Sequence, residues 1–350
     1  MAPAYSSYLR MFVMALFMFV LASSRVGALV TSTAILVRVD QSGKGDYRKI
    51  QDAIDAVPSD NKEPVFILVK PGIYQEKIVV PADKPFITIS GLKANGTIIT
   101  WNDGGEIFES PTFTVLASDF VARYLTIQNT LGARTKAVAL RVSGDRAAFF
   151  GCRILAYQDT LLADNGRHYY KNCYIEGAVD FICGNAASLF EAKPLTYICI
   201  FFSEVPFTFT LKGDASITAQ RRESPSEDTG FTFLGCKITG VRSALLGRPW
   251  GAYSRVVFAL SYMSGAILPQ GWDDWGDTSK QSTTFYREYK CYGPGANARK
   301  RVEWSGKLTT EEAEFFMTKN MIGGRSWIRS TPTHFKKAST ATSNNPATHA

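Results

Sequence analysis

Phe150-Gly151-Cys152-Arg153-Ile154, Tyr170-Lys171-Asn172-Cys173-Tyr174-Ile175 and Phe233-Leu234-Gly235-Cys236-Lys237-Ile238 are three versions of one element: an aromatic or apolar start, a polar or glycine break, a cysteine, then a strand-like pair. Arg123-Tyr124-Leu125-Thr126-Ile127 and Tyr289-Lys290-Cys291-Tyr292 are weaker copies. A period of roughly twenty residues made of short strands and polar turns is the sequence form of a solenoid, in which each repeat buries its apolar face only by stacking on the next. The expected fold is therefore all-β: a right-handed single-stranded parallel β-helix with short terminal helices.

The rest of the chain agrees with that reading. Val65 to Val69, Ile78 to Val80, Phe86 to Ser90, Thr97 to Thr100 and Phe113 to Val115 are short runs rich in β-branched and aromatic residues. Most are separated by Gly, Asp, Asn or Pro, which argues against alternating helices. Only two helices are expected. Tyr47, Ile50, Ala53, Ile54 and Val57 recur at helical spacing, with Asp46 as N-cap and Pro58 as stop. Thr309-Thr310-Glu311-Glu312 reads as a capping box ahead of Ala313, Phe316 and Met317, with Gly323-Gly324 as the stop. From Ser330 to Ala350, Ser, Thr, Asn, Ala and Pro dominate, and a disordered tail is expected.

The N-terminus carries Met11 to Ala22, apolar and too short to span a bilayer, followed by small residues to Ala28. Residues 1–28 read as a cleaved secretory signal, so the mature chain is expected outside the cell, with no membrane attachment. The formal charge is +8; removing residues 1–28 takes away Arg10, Arg25 and no acid, leaving +6. Export permits disulfides among the six cysteines and use of the Asn95-Gly96-Thr97 glycosylation sequence. A net positive charge suits an anionic partner. Arg221-Arg222 and Arg299-Lys300-Arg301 are too short to indicate nucleic acid.

Composition also restricts the chemistry. Only His168, His334 and His349 are histidines, which leaves little material for a Ser-His-Asp or Cys-His hydrolase or a multi-histidine metal site. No Cys-x-x-Cys occurs, and no metal or cofactor is expected. Aspartates offer another route. Cys152 and Cys173 are 21 apart, and so are Asp159 and Asp180. If 21 residues make one coil, the two carboxyls face each other across strands about 4.8 Å apart. Like charges that close drive one group toward its protonated form, giving a general acid beside a nucleophile.

Tyr157-Gln158-Asp159-Thr160-Leu161, Gly177-Ala178-Val179-Asp180-Phe181-Ile182-Cys183-Gly184-Asn185 and Leu246-Gly247-Arg248-Pro249-Trp250-Gly251 closely resemble the signature segments of plant pectin methylesterases. Gly72-Ile73-Tyr74-Gln75-Glu76, Ala137-Val138-Ala139-Leu140-Arg141, Ile217-Thr218-Ala219-Gln220 and Pro269-Gln270-Gly271-Trp272 extend the resemblance from about Val37 to Ile328. The resemblance implies a parallel β-helix that hydrolyses galacturonate methyl esters in cell-wall pectin and releases methanol. By match to the motifs, Asp180 would be the nucleophile, Asp159 the proton donor and then base, Arg248 the group that orients Asp180, and Gln158 an oxyanion donor. Trp250 would pack on a sugar ring. The implied partners are methyl-esterified homogalacturonan and a pectinesterase inhibitor protein, with the chain acting as a monomer.

Departures from the family pattern cluster at the same place. Lys136 stands where the family carries an oxyanion glutamine, Cys183 where it carries a groove phenylalanine, and Leu162 where tyrosine is common. These three suggest altered substrate contacts, and the alternative reading is a catalytically impaired pectin-binding protein. Residues 192–214 form an atypical apolar insertion within the β-helix domain of residues 29–329, either a real loop or an artefact of the gene model.

Overall fold

The computed structural model describes residues 32–192, 199–202 (backbone only) and 215–337. Among these residues the strands form three parallel sheets of 12, 7 and 8 strands, and each central coil contributes one strand to each sheet. The result is a parallel β-helix. Around the two aspartates the register is the expected one, since Arg153 pairs with Tyr174, Gln158 with Val179 and Leu161 with Ile182, each 21 residues on.

The repeated element marks a bend. Tyr124, Gly151, Asn172, Gly235, Leu260 and Lys290 each follow the last residue of a strand in the 12-stranded sheet, and all have left-handed backbone, with φ between 46° and 66°. Gly and Asn adopt that conformation at least cost, which explains why the break residue in the three clearest copies is Gly151, Asn172 and Gly235. The cysteine that follows turns inward. Cys152 Sγ donates to the Phe150 carbonyl (3.6 Å), and Cys173 Sγ to the carbonyls of Phe149 (3.4 Å) and Lys171 (3.6 Å). Cys236, Ser261 and Cys291 repeat the arrangement at the same position in later coils. In these five coils the column holds a small residue with a donor, whereas one coil before Cys152 the buried Leu125 takes the place. All five described cysteines are free thiols.

Inside the coil, equal residues stack on equal residues. Phe149, Tyr170, Phe190, Phe233 and Phe258 form a continuous pile with centroid separations of 5.0, 4.7, 4.6 and 4.5 Å. Those separations match the strand spacing, so the offset stacking that aromatic rings favour comes from the backbone repeat itself. Ile99, Ile127, Ile154 and Ile175 form a second column along the 8-stranded sheet.

The ends differ from expectation in three respects. Helix α1 (Ile50–Asp55) exists, but Asp46 does not cap it; the Asp46 carboxylate accepts from the Arg38 amide at 2.7 Å. The first amides of α1, from Ile50 and Gln51, donate instead to the Glu76 carboxylate, both at 3.0 Å. Lys49 has no side-chain acceptor, so a carboxylate from the next coil satisfies the orphan donors. Helix α2 (Thr310–Phe316) has the expected capping box, yet it lies on the outer face of the 12-stranded sheet. There Ala313, Phe316, Met321, Ile322 and Trp327 cover Tyr169, Leu189 and Val257.

The third difference is the tail. Its first residues are not disordered: His334–Lys337 form a strand that pairs in parallel with Thr33–Val39, at the far end of the 12-stranded sheet. An edge strand with unpaired amides and carbonyls is a ready template. Phe335 meets Phe66 at 5.1 Å and Lys336 pairs with Glu63 at 2.6 Å. Residues 338–350 and the expected signal at residues 1–28 lie outside the described residues. So does most of the 192–214 insertion, although Cys199–Phe202 pair in parallel between Tyr174–Gly177 and Lys237–Ile238 and so belong to the 8-stranded sheet.

His168 points inward, in register with Ala147 and Ser188, and is fully buried. Burial lowers its pKa to about 4, against the pull of the carbonyls of Asn165 and Gly144. The folded pKa lies below the ordinary 6.5, so the unfolded chain takes up the proton first as pH falls. This stability contribution is complete above about pH 6.5 and is lost toward pH 4. Urea unfolding between pH 7 and pH 5 should therefore show a steeper fall in stability for the wild type than for His168→Gln. Parallel slopes would assign the titration to other groups.

Candidate active site

The 7-stranded sheet presents one outward-facing row in register: Arg141, Leu162, Cys183, Ala219 and Arg248. The turns entering two of its strands, Leu161–Ala163 and Ile182–Gly184, hold Asp159 and Asp180. Both aspartates have left-handed backbone, with φ of 57° and 46°. Asp tolerates this region better than most residues, but it still stores strain, which persists only where the surroundings enforce it. Here they do. The Asp159 amide donates to the Val179 carbonyl at 3.1 Å and the Asp180 amide to the Ser216 carbonyl at 2.8 Å. Gly177 permits the close stacking, because a Cβ there would lie 2.2 Å from the Phe181 side chain and 2.6 Å from Thr160 Oγ1.

The two carboxyls are buried, with exposures of 7% for Asp159 and 5% for Asp180, yet they are treated differently. Arg248 grips Asp180 through two hydrogen bonds, Nε to Oδ1 at 2.9 Å and Nη2 to Oδ2 at 2.6 Å. Such a fork is the strong form of a charge-assisted pair. Burial lifts the Asp180 carboxyl above the ordinary 3.8, and the hydrogen bonds and charge of Arg248 oppose that lift. Asp159 accepts no side-chain hydrogen bond among the described residues. Burial first, and then the Asp180 charge, raise it to about 7, against the weaker pull of Lys136 and Arg248. Arg248 thus favours the ionised form of Asp180, while burial and the Asp180 charge favour the protonated form of Asp159.

These groups line a cleft of about 400 Å³ together with Gln158, Lys136, Cys183 and Trp250. Gln158 and Trp250 are half-buried, and the Arg221 guanidinium sits 5.0 Å from the Trp250 ring centroid. Cys183 is 2% exposed and forms the floor with Ala219. Leu162 is the exception among the expected contact residues. At 1% exposure it packs with Val138, Cys183 and Ala219 beneath Ile107 and Trp250, and it does not line the cleft.

The sequence reading did not single out four lining residues, Ile107, Ala219, Trp275 and Lys280, of which the last two make specific contacts. Trp275 is 41% exposed and lays its ring against the Arg248 guanidinium, 4.0 Å from the ring centroid. Lys280 donates to the carbonyls of Pro249 and Trp250, at 3.1 and 3.4 Å, and props the loop that carries Trp250. The only local signal was the pair Trp272 and Trp275 three residues apart. Trp272, quoted in a signature segment, is instead a core residue at 1% exposure stacked on Tyr286 at 4.2 Å. His168 and His334 do not line the cleft, and among the described residues no cluster of three His, Cys, Asp or Glu is placed to hold a metal.

A parallel β-helix with two buried carboxyls side by side in a cleft, one of them gripped by an arginine and no described histidine in reach, is suited to hydrolysis through aspartates. Comparison with known proteins gives the particular group. The family model described as Pectinesterase matches residues 36–325. The Arabidopsis thaliana protein named "Putative pectinesterase 11" is 58% identical over 315 residues, covering 89% of this chain and 86% of that one. Pectin methylesterase from carrot superposes with a TM-score of 0.77 at 35% identity, covering 84% of this chain and 94% of that one. A deglycosylated pectin methylesterase from Aspergillus niger does so at 0.72 and 28%, covering 85% and 97%. The chain belongs to the pectinesterase family, whose members are carboxylic ester hydrolases that demethylesterify pectin. No described helix is long and apolar enough to cross a membrane.

If Arg248 opposes the effect of burial on Asp180, then Arg248→Ala should move the Asp180 carboxyl titration, followed by ¹³C NMR, to higher pH than in the wild type. The titration is to be fitted for the coupled pair. An unchanged or lower midpoint would remove Arg248 from that role.

Proposed function

We propose that this chain hydrolyses methyl esters of galacturonate in homogalacturonan with Asp180 as nucleophile and Asp159 as acid and base. The observation that carries the reading is the pair of in-register buried carboxyls, one gripped by Arg248 through two hydrogen bonds and the other without a side-chain partner among the described residues. A carboxylate Oδ of Asp180 attacks the ester carbonyl carbon, and the carbonyl oxygen becomes an oxyanion. Gln158 supplies an amide donor for it and Lys136 an ammonium, both from the cleft wall. The intermediate collapses as Asp159 gives its proton to the departing methoxy oxygen, which leaves as methanol. Asp159, now ionised, takes a proton from water, whose oxygen attacks the acyl carbon of the Asp180 anhydride. The products are a regenerated Asp180 carboxylate, a reprotonated Asp159 and a galacturonic acid, which releases its remaining proton to solvent and becomes the carboxylate. Arg248 orients Asp180 throughout, and Trp250 offers a face to a sugar ring.

Secretion through the N-terminal segment, with action in the cell wall, completes the proposal. Its other parts are a monomeric state, a polysaccharide partner, recognition by an inhibitor protein, and no cofactor. A second reading, a pectin-binding protein with impaired chemistry, is favoured by one observation: the Lys136 charge pulls the Asp159 proton off more readily. Methanol release from methylated pectin by the purified mature chain separates the two. Wild type should be active and Asp180→Ala should lose roughly a thousandfold or more. A silent wild type with an active Lys136→Gln would establish the second reading.

The pH profile follows from the same charges. Acylation by the free enzyme needs Asp159 protonated, so kcat/KM should fall as pH rises through about 7. Lys136→Gln removes a charge that favours the ionised form of Asp159, so its alkaline limb should lie at higher pH than the wild-type limb. A shift in the opposite direction would contradict the assignment.

A further inference from the structure

In coil order the cleft reads Lys136, Asp159, Asp180, then Arg248, a cation at each end of the acid pair. The two cations are unequally engaged. Arg248 is occupied by Asp180 and lies against Trp275, and the third lining cation, Lys280, is bound to two backbone carbonyls. Lys136 is exposed, and among the described residues its ammonium has no ion-pair or hydrogen-bond partner. Its backbone is nevertheless fixed. The Lys136 carbonyl accepts from the Gly105 amide at 3.0 Å, and the next amide, of Ala137, donates to the Gln158 carbonyl at 3.3 Å. An exposed side chain with no ion-pair or hydrogen-bond partner among the described residues, on a pinned backbone, thus presents a positive charge to the cleft that holds Asp159.

We infer that Lys136 makes the free uronate carboxylate, the product of the proposed esterase reaction, a ligand of this cleft. The argument rests on that reaction and on the charge change it causes. The ester carbonyl that enters is neutral, whereas the carboxylate that remains carries a full negative charge on the same atoms. A neutral amide such as Gln158 distinguishes the two weakly. An ammonium distinguishes them strongly, because hydrogen bonds to an ionised partner are roughly twice as strong as neutral ones. Asp180 is already paired with Arg248, and Asp159 keeps its proton below about pH 7, so under those conditions little opposes the approach of an anion at the Lys136 end. Lys136 therefore strengthens the hold of this cleft on de-esterified chain beyond what a neutral amide at the same position would give.

The test uses the full mature chain and fully de-esterified oligogalacturonate as probe, with affinity read by calorimetry and by competitive inhibition of methanol release. Lys136→Gln should weaken binding roughly tenfold, the loss of one charge-assisted contact. Lys136→Arg should stay within about twofold of wild type, because it keeps the charge. Lys300→Gln, a remote exposed cation, controls for net charge and should have no effect. The difference between wild type and Lys136→Gln should shrink as salt is raised. Equal affinity of wild type and Lys136→Gln for the acid probe overturns the inference, as does an equal effect of Lys300→Gln. Lys136-dependent binding without methanol release would sink the esterase reading and leave the carboxylate site standing. Methanol release without such binding would do the reverse.

Discussion

Parallel registry between successive coils is the constraint on which the rest of the molecule depends. Once Arg153 is opposite Tyr174 and Leu161 opposite Ile182, every residue has a counterpart one strand spacing away. For apolar residues this is a gain, and the aromatic pile from Phe149 to Phe258 and the isoleucine column follow from it. For the residues at the bend it imposes a common backbone conformation. Gly151 and Gly235 accept it freely, and Leu260 and Lys290 carry it at a cost of about 1–2 kcal/mol each.

The same registry creates the electrostatic problem that the site turns to use. Two buried carboxyls cannot both be ionised at strand spacing without a counter-charge. One guanidinium is present, and its planar fork serves only one of them. Asp180 receives both hydrogen bonds, so the proton goes to Asp159. In the proposed mechanism, the division of labour that histidine provides in other hydrolases comes from unequal access to one arginine. Trp275 lies against that arginine and adds a cation–π contact to the pair.

The central coils were legible in the sequence because a period, unlike a single motif, is self-checking. Cys152 with Cys173 and Asp159 with Asp180 each reported the same 21-residue step. What was not legible involved partners far apart in the chain. Nothing near Ile50 announces that Glu76 will cap α1, and nothing near Asp46 says that it will bind the Arg38 amide instead. Trp272 and Trp275 are identical in kind, and only the packing against Tyr286 decides which one goes inside. Leu162 faces outward in register with Cys183, as a groove residue should, but Val138, Ile107 and Trp250 close over it. The strand at His334–Lys337 was hidden by composition, since its order comes from the edge it joins and from a single aromatic, Phe335.

That last strand changes the mechanics of the whole stack. A solenoid behaves as a one-dimensional array in which each repeat is stabilised only by its neighbours and either terminus can unzip alone. Here the chain passes the final coil, returns along the outside of the 12-stranded sheet, and pairs its last described residues with its first strand. Lys336 and Glu63 meet across 273 positions of sequence. Opening the first coil therefore also means releasing the returning segment. An array that would fray turn by turn becomes a closed loop of dependencies, with cooperativity running the length of the molecule and a folding route burdened by one very distant closure.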